Sequence, residues 1–216
     1  MYENVEWIWG YRENDKLGGY DPYSSSKASA EIVFSSYLRS FFYEQNIGAA
    51  SARAGNVIGG GDYSNNRIIP DCIKSITSNT PIKLRNPNAT RPWQHVLEPL
   101  YGYIKLGYNL SKDSKKYSGS WNFGPSAYEP RTVHEVAKSI VKTFKKGEII
   151  IEKSGDFHEA QLLQLNCDKA NQQLKWFPKW NVDKTLDETA MWYKLIYEGK
   201  IPKNITIKQI KNYLNF

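Results

Sequence analysis

The stretch Asp21-Pro22-Tyr23-Ser24-Ser25-Ser26-Lys27-Ala28 decides how the rest of the chain is read. Pro22 suits the first turn of a helix, where its missing N–H costs nothing. Helix formers and small residues (Ala28, Ala30, Ser35, Ser36) follow, so a helix is expected over 23–44. On a helix, positions i and i+4 share a face, which puts Lys27 one turn from Tyr23. An ammonium beside a phenol favours the phenolate and lowers a pKa that starts at roughly 10. A tyrosine tuned this way can take a proton from a substrate hydroxyl at neutral pH. That is half of a hydride-transfer site; the other half is a nicotinamide, whose ribose the same lysine could hold. Tyr101/Lys105 and Tyr108/Lys112 repeat the spacing. Only the first pair follows a Gly18-Gly19-Tyr20-Asp21-Pro22 lead that sets it at a helix start.

Working outward, residues 2–20 read as a loop rich in Trp, Gly and Asn. A short buried strand of small apolar residues is expected over 47–53, running into a glycine-rich loop over 55–62. Helices are expected over 68–78, 96–110, 132–144, 168–174, 182–197 and 207–214. Strands are expected over 81–84, 120–123, 149–151 and 162–165, with a turn over 86–92. Thr132 and Glu135 have the spacing of a capping box. Short strands alternating with helices of 10–15 residues imply an α/β fold around a parallel sheet.

Composition narrows the function classes. The chain has 216 residues, with 29 Lys and Arg against 22 Asp and Glu, a net charge of +7 that favours an anionic partner. Lys138, Lys142 and Lys145 fall opposite Val133, Val136 and Ile140, the pattern of a solvated helix face. No nucleic-acid motif accompanies the charge, so no nucleic-acid partner is expected. There is no apolar run of about 18 residues and no signal-peptide pattern at Met1-Tyr2-Glu3-Asn4-Val5. No membrane partner is expected, and the expected compartment is the cytoplasm. Cys72 and Cys167 are too few and too far apart for a disulfide framework, and with three scattered histidines no metal-ligand spacing emerges. Trp176, Trp180 and Trp192 read as core or interface.

The stretch from Asp21 to Ala28 resembles the active-site helix of the extended short-chain dehydrogenase/reductases, the NAD-dependent epimerase/dehydratase family. The resemblance continues through Arg53-Ala54-Gly55-Asn56-Val57-Ile58-Gly59-Gly60-Gly61-Asp62 and Arg67-Ile68-Ile69-Pro70. It extends to Thr90-Arg91-Pro92-Trp93-Gln94-His95-Val96 and Trp121-Asn122-Phe123-Gly124-Pro125. Within the family, Trp7-Ile8-Trp9-Gly10-Tyr11-Arg12-Glu13 and the Arg91–His95 run look like the branch that acts on CDP-glucose. The implied fold is the C-terminal portion of such an enzyme: an incomplete Rossmann sheet plus a smaller α/β substrate domain. Residues 1–62 would close the NAD-binding domain. Residues 63–216 would mainly bind the sugar nucleotide, with 96–125 returning to the Rossmann sheet.

The resemblance also implies roles. Tyr23 and Lys27 would be catalytic and, with Ala54 and Val57, would border NAD. Asn56, Arg67, Arg91, His95 and Glu159 would bind the nucleotide sugar, CDP-glucose. Arg91 has the rigid fork that suits a diphosphate, and a helix N-terminus at Arg67 itself attracts phosphate. Many relatives carry an arginine where Asp156-Phe157-His158-Glu159-Ala160-Gln161 stands, and this sequence has none there. The implied reaction is net loss of water from a CDP-hexose to a 4-keto-6-deoxy sugar, of the kind used in O-antigen sugars. Consecutive glycines at 59–61 let backbone approach a ligand closely, but no Gly-x-Gly-x-x-Gly appears. The family's acid/base segment would fall just before Met1, so a truncated chain, inactive alone, is expected. A homodimer through the long helices around Tyr23 is expected from the family. Other readings are an epimerase or reductase of the same superfamily, a non-catalytic nucleotide-binding remnant and a basic RNA-binding module.

Overall fold

The computed structural model describes residues 1–125, 130–152 and 164–215. In chain order the elements are α1 (Pro22–Tyr37), β1 (Ala50–Ala54), β2 (Val57–Ile58), α2 (Ile68–Thr77) and β3 (Ile82–Leu84). There follow β4 (Thr90–Arg91), β5 (Gln94–His95), α3 (Leu97–Lys112), α4 (Ser114–Tyr117) and β6 (Gly119–Phe123). The last are β7 (Arg131–Thr132), α5 (Val133–Phe144), β8 (Ile149–Ile151), α6 (Val182–Tyr197) and α7 (Pro202–Leu214). Single π-helical turns extend α1 over Leu38–Phe42 and span Ala170–Leu174.

The chain divides into two compact units. One comprises residues 1–55, 98–127 and 162–178; the other 56–97, 128–161 and 179–216. In the first, β1 and β6 pair in parallel from Ala50–Gly119 to Ala54–Phe123. Trp121, Phe123, Leu174 and Trp176 form its core with Leu106 and Tyr117. Gly102 lets α3 come close to β6, because a Cβ there would stand 2.5 Å from Phe123. Trp176 is fully buried and donates from its indole to the Glu98 carbonyl at 3.1 Å.

Strand β1 starts three residues later than its apolar pattern predicts, and it is not a buried apolar strand. Among its five residues only Arg53 is buried. β1 pairs with β6 on one side, and among the described residues no strand pairs on its other side. Ile47 is left exposed. The buried position is occupied by a charge because a partner meets it: the guanidinium of Arg53 lies 2.7 Å from the Glu31 carboxylate on α1. Arg53 also donates to the Tyr2 hydroxyl at 2.6 Å and the Glu13 carbonyl at 2.9 Å. This polar knot holds the N-terminal loop. Tyr2 and Tyr11 stack at 5.3 Å and are both buried, and Asn122 donates to the Tyr11 carbonyl.

The second unit contains two parallel pairs, β2–β5 and β3–β8, and the antiparallel pair β4–β7. Helices α2, α5 and α6 bury Cys72, Ile76, Val136, Ile140, Leu186 and Ala190 in one core. α5 buries the Val136/Ile140 stripe and exposes Lys138 and Lys142, as a period of 3.6 requires. Thr132 caps it, with Glu135 closing the capping box. Residues 56–62, expected to close the preceding domain, group here with the second compact unit. The reason is hydrogen bonding: the β2–β5 ladder and the Tyr193 hydroxyl tie these residues to this unit. Residues 86–92, expected as a plain turn, contribute β4. The final helix starts at Pro202, five residues before its apolar pattern suggests. The strand expected over 162–165 falls partly outside the described residues; Leu165 forms a single bridge with Tyr11.

Candidate functional site

In the first unit, Asp21 caps α1 by accepting from the Ser24 backbone N–H at 2.9 Å, and the Ser24 side chain returns the bond. The capping box fixes the helix start one residue before Tyr23. The Lys27 ammonium lies 5.6 Å from the Tyr23 ring centre. The repeats have nearly the same geometry, 5.6 Å for Lys105/Tyr101 and 5.3 Å for Lys112/Tyr108. Spacing therefore sets the pair distance and context sets its use. Lys105 is engaged, donating to the Lys175 carbonyl at 2.7 Å. Beyond that ring contact, the Tyr23 hydroxyl and the Lys27 ammonium have no hydrogen-bond or ion-pair partner among the described residues, and Tyr23 is 72% exposed. Ala54, half-buried, ends β1 in the same unit.

The second unit holds a cavity of about 390 Å³. Its walls bring together Asn56, Val57, Gly59, Gly60, Asp62, Arg67, Arg91 and Trp93. Four of the predicted site residues, Asn56, Val57, Arg67 and Arg91, thus line one cavity. The N-terminus of α2 opens on it through Arg67, Ile68 and Ile69. The cap position there is Arg67, whose side chain makes no cap hydrogen bond. A guanidinium cannot accept one, so the first-turn N–H groups keep their attraction for an anion. Arg67 also stands 3.9 Å from the Asp62 carboxylate. The Ser64 backbone N–H chiefly holds Asp62 below the usual carboxylate range, so it stays ionised. Arg91 donates to the Thr90 carbonyl at 2.8 Å. Trp93 is anchored by its indole N–H on the Arg131 carbonyl at 3.1 Å.

His95, expected in the substrate site, is buried to 1% exposure behind the glycine wall and does not itself line the cavity. Its ring lies 4.8 Å from that of Trp180, and Nδ1 accepts from the Leu97 backbone N–H at 3.3 Å. Period-2 alternation does not operate across a two-residue strand whose residues Gln94 and His95 are both buried. Glu159 lies outside the described residues, as does His158. Asp62 and Trp93 stand in the quoted runs without an assigned role, and Trp192-Tyr193, which holds the cavity wall from behind, carries no local signal of that task. The glycine triplet was visible, but nothing local connects it to residues some 130 positions later.

No family model matches the chain. Among curated proteins it is 44% identical over 220 residues to the CDP-glucose 4,6-dehydratase of Salmonella typhimurium. That match covers 99% of this chain and 61% of the relative, so the chain spans about three fifths of the relative's length. Solved structures share the fold at lower identity. The dTDP-glucose 4,6-dehydratase of Bacillus anthracis, in complex with NAD, matches at 22% identity and a TM-score of 0.70, over 88% of this chain and 57% of its own. The dTDP-glucose 4,6-dehydratase of Streptomyces venezuelae matches at 17% and 0.72, over 90% and 57%. The UDP-glucose 4-epimerase of Thermotoga maritima matches at 16% and 0.72, over 92% and 60%. The chain shares the fold of these sugar-nucleotide dehydratases and epimerases. Its sequence resembles that of CDP-glucose 4,6-dehydratase.

Proposed function

We propose that these residues form the sugar-nucleotide pocket and the Tyr23–Lys27 pair of a CDP-glucose 4,6-dehydratase. The observation that carries the reading is the cavity of the second unit. Its two arginines and the free N-terminus of α2 suit a diphosphate, and its volume suits a nucleotide sugar. The 44% identity supports CDP-glucose as the substrate. The net reaction would remove water and yield a 4-keto-6-deoxy sugar.

Tyr23 would take the proton of the sugar 4-hydroxyl. Lys27, one turn on, would hold ribose hydroxyls and keep a positive charge beside the phenol. Both groups are without hydrogen-bond or ion-pair partners among the described residues, and their donor chemistry fits the nicotinamide-ribose end of NAD. NAD, when bound, would supply the hydride acceptor that such a dehydration borrows and restores. The diphosphate end of NAD finds no Gly-x-Gly-x-x-Gly within these 216 residues. Glu159 is proposed as a further substrate contact and Ala54 and Val57 as neighbours of the nicotinamide. A cytoplasmic location follows from the substrates this reading requires. A homodimer is proposed as well, through exposed helix faces of the first unit.

Calorimetry on the 216-residue chain tests the reading. CDP-glucose and CDP should bind, with UDP-glucose about tenfold weaker. Arg91→Leu should weaken CDP-glucose by about tenfold or more, the worth of a charged hydrogen bond. With NAD added, turnover by these residues alone should be negligible. Absence of any CDP-glucose binding, or equal affinity for UDP-glucose, would overturn the assignment.

A further inference from the structure

The wall formed by Gly59, Gly60 and Asp62 is gripped from outside the cavity. The Tyr193 hydroxyl on α6 accepts from the Asp62 backbone N–H at 2.9 Å and donates to the Asp62 carbonyl at 2.6 Å. The Gly59 carbonyl lies 3.3 Å from the same oxygen. Tyr63 sets its ring edge-on to Tyr193 at 5.9 Å. Burial is the main cause that pushes the Tyr193 phenol up to about 12, so the hydroxyl keeps the proton it donates at neutral pH.

The neighbouring Trp192 forms the seat. A Cβ at Gly60 would stand only 2.0 Å from its indole ring. Trp192 is itself held, its N–H donating to the Thr206 hydroxyl on α7 at 3.0 Å. Gly61 makes the turn between the seat and the grip with φ at 89°, a conformation that L side chains rarely adopt. The loop so fixed carries Asp62 to within 3.9 Å of Arg67, at the point where α2 opens on the cavity.

We propose that Tyr193 is a positioning residue for ligand recognition. Its hydroxyl, over the Trp192 seat, fixes the Asp62 peptide and so sets the glycine wall of the sugar-nucleotide pocket and the place of Asp62 beside Arg67. The inference rests on the reading of that cavity as a sugar-nucleotide site. Without the hydroxyl the loop samples other conformers, and apparent affinity falls by the fraction of chains left in the competent one.

The test uses the 216-residue chain with CDP-glucose as the probe. Tyr193→Phe should raise the dissociation constant about tenfold. Gly60→Ala, which drives a methyl group into Trp192, should do likewise. Ile140→Val, which removes a buried methylene group from the core of the same unit, serves as the destabilised control and should leave the affinity unchanged. Hydrogen exchange at the Asp62 amide, read without ligand, should speed up at least about tenfold in Tyr193→Phe and stay unchanged in Ile140→Val. If wild type binds and Tyr193→Phe binds equally well, the positioning role is overturned while the pocket stands. Unchanged Asp62 exchange in Tyr193→Phe also overturns it. If wild type binds neither CDP-glucose nor CDP, the pocket reading fails and takes the ligand role of Tyr193 with it.

Discussion

His95 shows how burial redirects a residue with obvious chemical capacity. Nδ1 accepts from Leu97, so the single proton of the neutral ring sits on Nε2, which is buried without a hydrogen-bond partner among the described residues. Burial lowers its pKa to about 4, against a smaller opposing pull from Glu188. The folded value lies below the unfolded one, so the unfolded chain binds the extra proton first. The stability that neutral His95 preserves is therefore complete above roughly pH 6.5 and is lost as pH falls toward 4. A gap of that size corresponds to about 3 kcal/mol between pH 7 and pH 4. Urea unfolding across that range should show the loss in wild type. His95→Asn should flatten it, and an identical slope in the variant would assign the acid sensitivity elsewhere.

Among the elements, α1 is unusual in how it is attached. Ala28 is its one buried residue; Ala30 and Ser36, expected to permit close packing, are exposed. What holds the helix is Glu31. Its carboxylate accepts from Arg53 at 2.7 Å, Ser51 at 2.8 Å and Ser120 at 3.1 Å. Burial pushes Glu31 up, but the bonds from Arg53, Ser51 and Ser120 together outweigh it and hold the group below the ordinary value. A helix joined by charge rather than by an apolar stripe is sensitive to removal of one partner. Arg53→Met should cost about 3–5 kcal/mol, because it strands a largely buried carboxylate. The pair Arg53→Met with Glu31→Leu should recover most of that loss in thermal or urea unfolding. A double variant as unstable as the single one would show that the charge is not what matters. Helix ends were more legible than this attachment. The Thr132/Glu135 box was readable because a cap is a local event, three residues long. The strands β2, β4, β5 and β7 were not, since each has two residues and takes its partner from 37 to 42 positions away.

For the molecule as a whole, the chain passes repeatedly between two units, each with its own buried cluster. The first unit leaves apolar surface uncovered. Leu100, Ile104 and Tyr108 are exposed on one face of α3, spaced i, i+4, i+8, and Ile32, Val33 and Tyr37 are exposed on α1. Patches of this kind mark association surfaces, which supports the proposed homodimer. Sedimentation should show a dimer at high protein concentration, and Ile104→Lys should shift it to monomer without loss of helix content. A wild-type chain that stays monomeric at every concentration would remove the proposal.

Local sequence carries the α/β class, most helices and their caps, the glycine loop, and the Tyr23–Lys27 stripe. These depend on spacing within one or two turns, where backbone geometry dictates which side chains meet. It also marked Asn56, Val57, Arg67 and Arg91, which the structure gathers around one cavity. Tertiary packing alone buries His95, pairs Arg53 in the interior and joins residues 56–62 to the second unit. It alone joined Tyr193 to Asp62, 131 positions apart. Each of these is settled by which groups share the interior and must satisfy one another's hydrogen bonds there, a choice made across the chain and invisible in any local pattern.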